Sequence, residues 1–377
     1  MSAPTSDDAL ARRFRRFAEL EAETSPLYTA LALQLADDAE LRAVFAGLGD
    51  RHVTLFFAAV QRVLADHRED PLAAYYASFD GERVPDAQLA KAFESFATTH
   101  RDAIEALTAD RVTQTNESRR GVNLRPAFGW AQACFGRQLG LIEVGASAGL
   151  LLHPDRYAYE YEFADGTVLE RSAQADEFDD AAPIVLRCPV RGSATAKTLA
   201  PFVTKDLRIS SRVGLDLNPL NPADAETRAW LRAMVWPEQT ERRVRLDAAL
   251  AMAVRHPVRL RKGNALGILG AAVEMVTSPA VPCVFVSNTL AHFPAESRAA
   301  FVELIRELGS RRDLVLLMKE APEVCLDLFT DARADDPYAP HSEPLGAVVY
   351  QAGRERCVSL GFAGSHGSWL DWAPTML

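Results

Sequence analysis

The residues best suited to chemistry in this chain lie in residues 141–150, Leu-Ile-Glu-Val-Gly-Ala-Ser-Ala-Gly-Leu. A short apolar run ends in an acid, Glu143, and small residues follow at once: Gly145, Ala146, Ser147 and Gly149. A backbone that turns sharply out of a strand and lets a ligand touch it needs residues without a bulky Cβ substituent. The acid at the strand end repels phosphate. It suits a ligand carrying ammonium or hydroxyl groups. The dinucleotide fingerprint Gly-x-Gly-x-x-Gly fits poorly, because it needs glycine at Ser147 and Leu150. Neither a Gly-x-Ser-x-Gly hydrolase elbow nor a Walker loop is expected in the chain.

Such a turn must be held by a sheet, and the surrounding sequence supplies one. The chain has 377 residues, is 48% apolar and 24% charged, and carries a net charge of −10. That length suits two domains, and that charge argues against broad binding to nucleic acid or to an anionic membrane. Residues 8–110 carry apolar residues at helical spacing, with Ser25 as an expected N-cap and Pro26 as the first helical residue. They form an expected N-terminal helical domain over 1–110. The remainder, 111–377, reads as an α/β domain. Short apolar runs at Leu141–Val144, Arg212–Leu217, Val258–Leu260, Val281–Ser287 and Leu314–Met318 suit strands buried on both faces of a parallel sheet. Helical stretches at 223–234, 240–254, 266–276 and 295–308 alternate with them, which indicates a doubly wound, Rossmann-like α/β sheet. Two later runs, Ala347–Gln351 and Cys357–Leu360, are expected to pair antiparallel at a sheet edge. A β insertion is expected at about 155–205, where Tyr157, Tyr159 and Tyr161 alternate with Ala158 and Glu160 before an Asp165-Gly166 hairpin signal.

The five cysteines are scattered and the eight histidines form no metal-spaced pair, so no metal site is expected. The first residues lack the basic and apolar regions of a signal peptide, and no apolar run is long enough for a membrane span. A cytoplasmic location is therefore expected, with a small-molecule substrate, no nucleic-acid or membrane partner, and an open oligomeric state.

Polar residues at the ends of the other strands are further candidates. Asp216 and Glu170 compete for the acid that accepts hydrogen bonds from ribose hydroxyls. Glu170 lies at the usual separation from the glycines, but Asp216 ends a buried-type strand and is preferred. Asn264 follows the third strand and can both donate and accept. Asn288 and His292 follow the fourth strand, with His292 as a candidate general base and Asn288 as a holder of substrate. Asn116, Glu117 and Arg119 precede the glycine strand and are candidates for a clamp that meets an amine and a carboxylate. Trp236-Pro237-Glu238, with Arg242 and Arg245, can line a pocket for an acidic group or simply form surface ion pairs.

The spacing Glu143, Gly145, Ser147, Gly149 resembles the first motif of S-adenosylmethionine-dependent methyltransferases. Ser25-Pro26-Leu27-Tyr28, Thr115-Asn116-Glu117 with Arg119, Asp155-Arg156-Tyr157, Arg212-Val-Gly-Leu-Asp-Leu-Asn-Pro219 and Val235-Trp236-Pro237-Glu238 join it in a set that resembles the bacterial family called domain of unknown function 2332. The family resemblance implies a fold of the class I methyltransferase type and no more; the resemblance to methyltransferase motifs implies S-adenosylmethionine as cofactor, with Asn264 meeting the adenine. Ser147 departs from the methyltransferase pattern, which has glycine there. The favoured function is methyl transfer to a small molecule, which needs alignment of a nucleophile more than a covalent catalytic residue. The alternatives are a non-catalytic nucleoside-ligand-binding or regulatory protein with the same fold, and a nucleotide-dependent oxidoreductase.

Overall fold

The computed structural model describes residues 6–45, 52–114, 116–174, 181–324 and 342–376. Its helices are α1 (Ser6–Glu21), α2 (Pro26–Asp37), α3 (Ala39–Arg42), α4 (Val53–Leu64), α5 (Leu89–Thr99), α6 (Arg101–Asp110), α7 (Gly121–Phe135), α8 (Ala196–Val203), α9 (Ala225–Ala233), α10 (Thr240–Arg255), α11 (Ala265–Glu274) and α12 (Ala295–Arg311). The strands are β1 (Leu139–Val144), β2 (Tyr157–Glu162), β3 (Val168–Arg171), β4 (Ile184–Arg191), β5 (Ile209–Asp216), β6 (Arg259–Lys262), β7 (Val281–Ser287), β8 (Leu314–Lys319), β9 (Ser342–Gln351), β10 (Arg354–Gly364) and β11 (Leu370–Met376). The chain divides into two compact units, Met1–Asn116 with Pro222–Ala248, and Glu117–Asn221 with Ala249–Leu377.

The first unit is helical and larger than the expected 1–110, because residues of the α9 region cluster with it. Trp230 and Met234 share its core with Phe14, Tyr28, Phe57 and Phe93. Gln61 of α4 donates to the carbonyls of Ala233 and Val235, which satisfies the end of α9. Ser25 caps α2 by accepting from the Tyr28 N–H, and Pro26 occupies its first turn. Glu238 strengthens this cap. It accepts from Ser25 Oγ and from the Leu27 N–H, both at 2.8 Å. A carboxylate at a helix N-terminus is favoured by the exposed N–H groups there. Trp236 lies edge-on to Tyr28 at 5.3 Å and donates to Glu21. The Ser-Pro-Leu-Tyr and Trp-Pro-Glu segments thus meet and fix each other. Arg242 donates to Gln239.

The second unit holds a mixed α/β sheet of eleven strands in the order β3-β2-β4-β11-β10-β9-β8-β7-β1-β5-β6. The strands β8-β7-β1-β5-β6 are parallel, and these are the five apolar runs expected from the sequence. Side chains alternate across a strand. On one face, Ile142, Val144, Val284, Val286, Leu314 and Leu316 pack under α11 and α12. On the other, Phe128 of α7 meets Phe285 of β7 edge-on at 5.1 Å. Helices therefore cover both faces of the parallel strands.

Two expectations need correction. The antiparallel pair β9 and β10 does not end the sheet. A third strand, β11, pairs with β10, and β4 of the insertion then pairs with β11 through Leu370↔Val190 and Asp371↔Arg191. The insertion is an extension of the same sheet. Its β2–β3 hairpin turns at Asp165-Gly166 as expected. The hydroxyls of Tyr157, Tyr159 and Tyr161 are buried and donate to the carbonyls of Leu150, Pro154 and Val122. The last of these ties β2 to the first turn of α7. Among the described residues, no helix is long and apolar enough to cross a membrane. Thr115 and Cys325 lie outside the described residues.

Candidate functional site

The strand order reverses at β1, which has β5 on one side and β7 on the other. In open α/β sheets the crevice at such a reversal, outside the carboxyl ends of the strands, is where ligands bind. Glu143, Asp216, Ser287, Lys319 and Glu320 all lie at these ends.

The glycine turn is tight. Gly145, Ser147 and Gly149 all have positive φ, at 81°, 48° and 75°. Asp216 holds the turn from the neighbouring strand: its Oδ2 accepts from the Ser147 N–H at 2.7 Å, and its Oδ1 accepts from the Asn218 N–H at 2.7 Å. The space in front of Gly145 is taken by protein. A Cβ built there would lie 2.2 Å from Thr289 Oγ1 and 2.5 Å from Thr289 Cγ2. The loops after β1 and β7 therefore close on each other at Gly145, where the sequence pointed to close approach of a ligand. Gly145→Val is expected to lower the melting temperature as well as any ligand affinity. Its cost is about 1–3 kcal/mol from overpacking, and more from the left-handed backbone. A melting temperature equal to that of the wild type would show that the Thr289 loop yields freely.

Residues 145–149 spell Gly-x-Ser-x-Gly, so the letters alone do not exclude a hydrolase elbow. The structure gives the reason to set it aside. An elbow exposes its serine at a strand-to-helix turn. Ser147 is only 7% exposed, and a 3-10 turn and β2 follow it in place of a helix.

Beneath the turn lies a buried charged cluster that no sequence motif announces. Arg120, just before α7, is its centre. The guanidinium donates from Nη1 to the Ser287 carbonyl at 2.7 Å and reaches Asn288 Oδ1 at 3.5 Å. Burial lowers its pKa, and the charges of Glu117, Glu143 and Glu320 oppose that shift. Glu143 is 4% exposed, and its Oε2 has no hydrogen-bond partner among the described residues. Burial raises its pKa well above the carboxylate range. Arg120 opposes the rise and Asp216 adds to it.

One strand further on, Asn288 adopts φ 55° and donates from Nδ2 to Glu343 Oε1 at 2.8 Å. Ser365 Oγ donates to the same oxygen at 2.8 Å, and Lys319 is ion-paired to Glu343 Oε2. Lys319 is fully buried, and burial together with the Arg120 charge lowers its pKa to about 7. Glu320 Oε1 accepts from the Thr289 N–H at 2.7 Å, while its Oε2 has no partner among the described residues. Burial raises its pKa to about 7, resisted first by the backbone N–H groups of Thr289 and Leu290.

The other expected site residues are placed as follows. Glu117 is buried, and its Oε1 caps the turn before α7 by accepting from the Arg119 N–H. Arg119 donates to the carbonyl of Arg187 on β4. Ala146 is buried within the turn. Asn264 is the exposed N-cap of α11, accepting from the Leu266 N–H. His292 is exposed on the 3-10 turn after β7. Asn116 is the last residue of the first segment of the helical unit. Glu170 is exposed on β3, opposite Glu160, away from the parallel strands.

The family model described as "Uncharacterized protein conserved in bacteria (DUF2332)" matches residues 11–372. The chain belongs to this family. The DUF2332 match takes in both units and every residue of the site. No curated protein and no solved structure matches the chain.

Proposed function

We propose that this DUF2332 protein binds S-adenosylmethionine at the reversal of its parallel sheet and transfers the methyl group to a small molecule. The reading is carried by one observation. The strand at the reversal ends in a buried carboxylate, Glu143, with an oxygen that no donor meets, under a turn held by the acid of the adjacent strand. Such a set of acceptors suits a zwitterionic, hydroxyl-bearing ligand and repels the pyrophosphate of a dinucleotide. Asp216 fits the ribose, because each of its oxygens has accepted one hydrogen bond and a carboxylate oxygen can accept another. Glu143 fits the ammonium group. Arg120, placed among acids, fits a carboxylate.

The cofactor, when bound, supplies an electrophilic methyl group on a sulfonium. The protein's part is to position and to exclude water. Glu343 and Arg120 hold the two ends of the Asn288 amide, so its orientation is fixed before any substrate arrives. His292, exposed on the same loop, is the candidate to take a proton.

Calorimetry tests the reading. Saturable binding of S-adenosylhomocysteine without binding of NADH is the expected result; NADH binding or no binding overturns it. Asp216→Ala is expected to weaken S-adenosylhomocysteine by at least tenfold, about 1.4 kcal/mol, and Glu170→Ala to leave it unchanged. The reverse pattern would move the ribose acid to the hairpin.

A further inference from the structure

Two orphaned carboxylate oxygens lie in this cluster, and the cofactor proposed above occupies only one of them. Glu143 Oε2 belongs to β1 and Glu320 Oε2 follows β8 directly. One strand, β7, separates β1 from β8. At the usual strand spacing their backbones are roughly 10 Å apart.

Among the described residues, the buried carboxylates of this cluster outnumber its cations. Glu117, Glu143, Glu320 and Glu343 are buried carboxylates. Arg120 and Lys319 are the cations that face them. Lys319 and Glu343 neutralise each other in their ion pair. Arg120 is then one guanidinium serving Glu117, Glu143 and Glu320. A buried carboxylate oxygen without a donor carries an uncompensated desolvation cost. A ligand group that donates to it recovers that cost, and a cation does so most fully.

Glu320 is itself fully buried, and its Oε1 is tied to the Thr289 N–H. Asn288, Thr289 and Ala321, its neighbours in the chain or beside that bond, are half-buried. Asn288 is oriented by Glu343, and its amide oxygen, 3.5 Å from Arg120 Nη1, is an acceptor beside Thr289.

We propose that Glu320 is the binding group for a cationic substrate, a primary or secondary ammonium ion held beside the Asn288–Thr289 turn; an ammonium nitrogen has no lone pair, so the atom that takes the methyl group is a different one of that substrate. This inference rests on the methyltransferase reading for the word substrate, but the ammonium site itself does not need the cofactor. Glu143 takes the amine of the cofactor and Glu320 takes the amine of the substrate, one strand apart. An anionic substrate would be repelled by Glu320, and a neutral donor would satisfy it less fully than a cation.

The probe is n-butylammonium chloride, added to the full chain without cofactor, with n-butanol and sodium butyrate as neutral and anionic shapes. Calorimetry is expected to show saturable binding of the amine alone, weakened at least tenfold in Glu320→Gln. In the wild type, the Thr289 amide resonance is expected to shift with amine concentration, because its N–H bonds to Glu320 Oε1; this measurement needs no variant. Absence of amine binding, equal binding of butanol or butyrate, unchanged affinity in a folded Glu320→Gln, or a Thr289 amide that stays still while others move would each overturn the proposal. The two readings fail separately. Amine binding without S-adenosylhomocysteine binding removes the cofactor and keeps the ammonium site. S-adenosylhomocysteine binding without amine binding keeps the cofactor and removes the substrate class.

Discussion

Glu343→Leu is expected to destabilise the second unit by about 3–5 kcal/mol at neutral pH, which is the usual cost of stranding one member of a buried ion pair. Lys319 is fully buried, and Glu343 is its ion-pair partner. Glu343 also accepts from Asn288 Nδ2 and Ser365 Oγ, so the substitution removes the acceptor of those donors as well. The double variant Lys319→Met, Glu343→Leu is expected to regain much of the loss, because a buried pair replaced by apolar groups of similar size is often near neutral. The pH dependence has a definite sign. The folded-state pKa of Lys319 is lowered to about 7, whereas the unfolded chain keeps the ordinary lysine value. The unfolded state therefore binds more protons from about pH 7 up to that ordinary value, and stability rises with pH across that window. The deficit of the single variant should be largest below about pH 7, where the stranded lysine must carry its charge. Urea unfolding of the three proteins measures it. A single variant within about 1 kcal/mol of the wild type, or a double variant no better than the single, would show that the pair is not energetically coupled.

Glu143→Gln is expected to weaken S-adenosylhomocysteine by about 10–100-fold at about pH 8, or roughly 1.4–2.8 kcal/mol, and at the same time to raise the stability of the free protein there. Both effects come from one titration. Burial raises the Glu143 pKa well above the carboxylate range. A carboxyl group with a raised folded-state pKa contributes stability that is present below its unfolded pKa and is lost as pH rises through the folded one. A charged Glu143 therefore costs the wild type stability at high pH. The cost is about 1.4 kcal/mol for every pH unit that separates the folded value from the unfolded one, and glutamine removes that penalty. An ammonium ligand needs the charged form, so wild-type affinity should fall as pH falls through the same range. The glutamine variant should show no such dependence. Calorimetry in buffers of different ionisation enthalpy reads the proton release directly. If wild-type binding proves independent of pH and buffer, Glu143 does not face the ammonium.

The parts of the fold that were legible in the sequence are those set by local rules. Val281–Ser287 and Leu314–Met318 are apolar on both faces, and they form central parallel strands. Ser25-Pro26 starts a helix and Asp165-Gly166 turns a hairpin, because cap and turn chemistry acts over a few residues. The features that the sequence conceals depend on distant neighbours. The strand at Leu370–Met376 contains Asp371 and Pro374 and has little apolar run. The grouping of Trp230 with Phe57 is fixed by packing between segments far apart in sequence. In the site, Glu143, Gly145, Ser147 and Asp216 stood out by their place after apolar strands. Arg120, Lys319, Glu320 and Glu343 did not, since buried charges and surface charges look alike in a sequence. Lys319 and Glu320 did carry a signal: they follow an apolar strand without a break, which puts them at the same edge as Glu143.

The position of β11 has a consequence for the order of assembly. It lies between β10 and β4, pairing antiparallel with one and parallel with the other. The leaf made of β2, β3 and β4 is synthesised early, yet its attachment to the rest of the sheet is made through residues near the end of the chain. Until those residues emerge, β4 and β10 each present a row of unpaired backbone donors and acceptors, the kind of edge that recruits foreign strands. Contacts of such long sequence separation form slowly because loop closure must precede them. On the ribosome, the second unit therefore stays open down one side until β11, which follows every other strand in chain order, has been made, and that nascent form is the stage at which it most needs a chaperone.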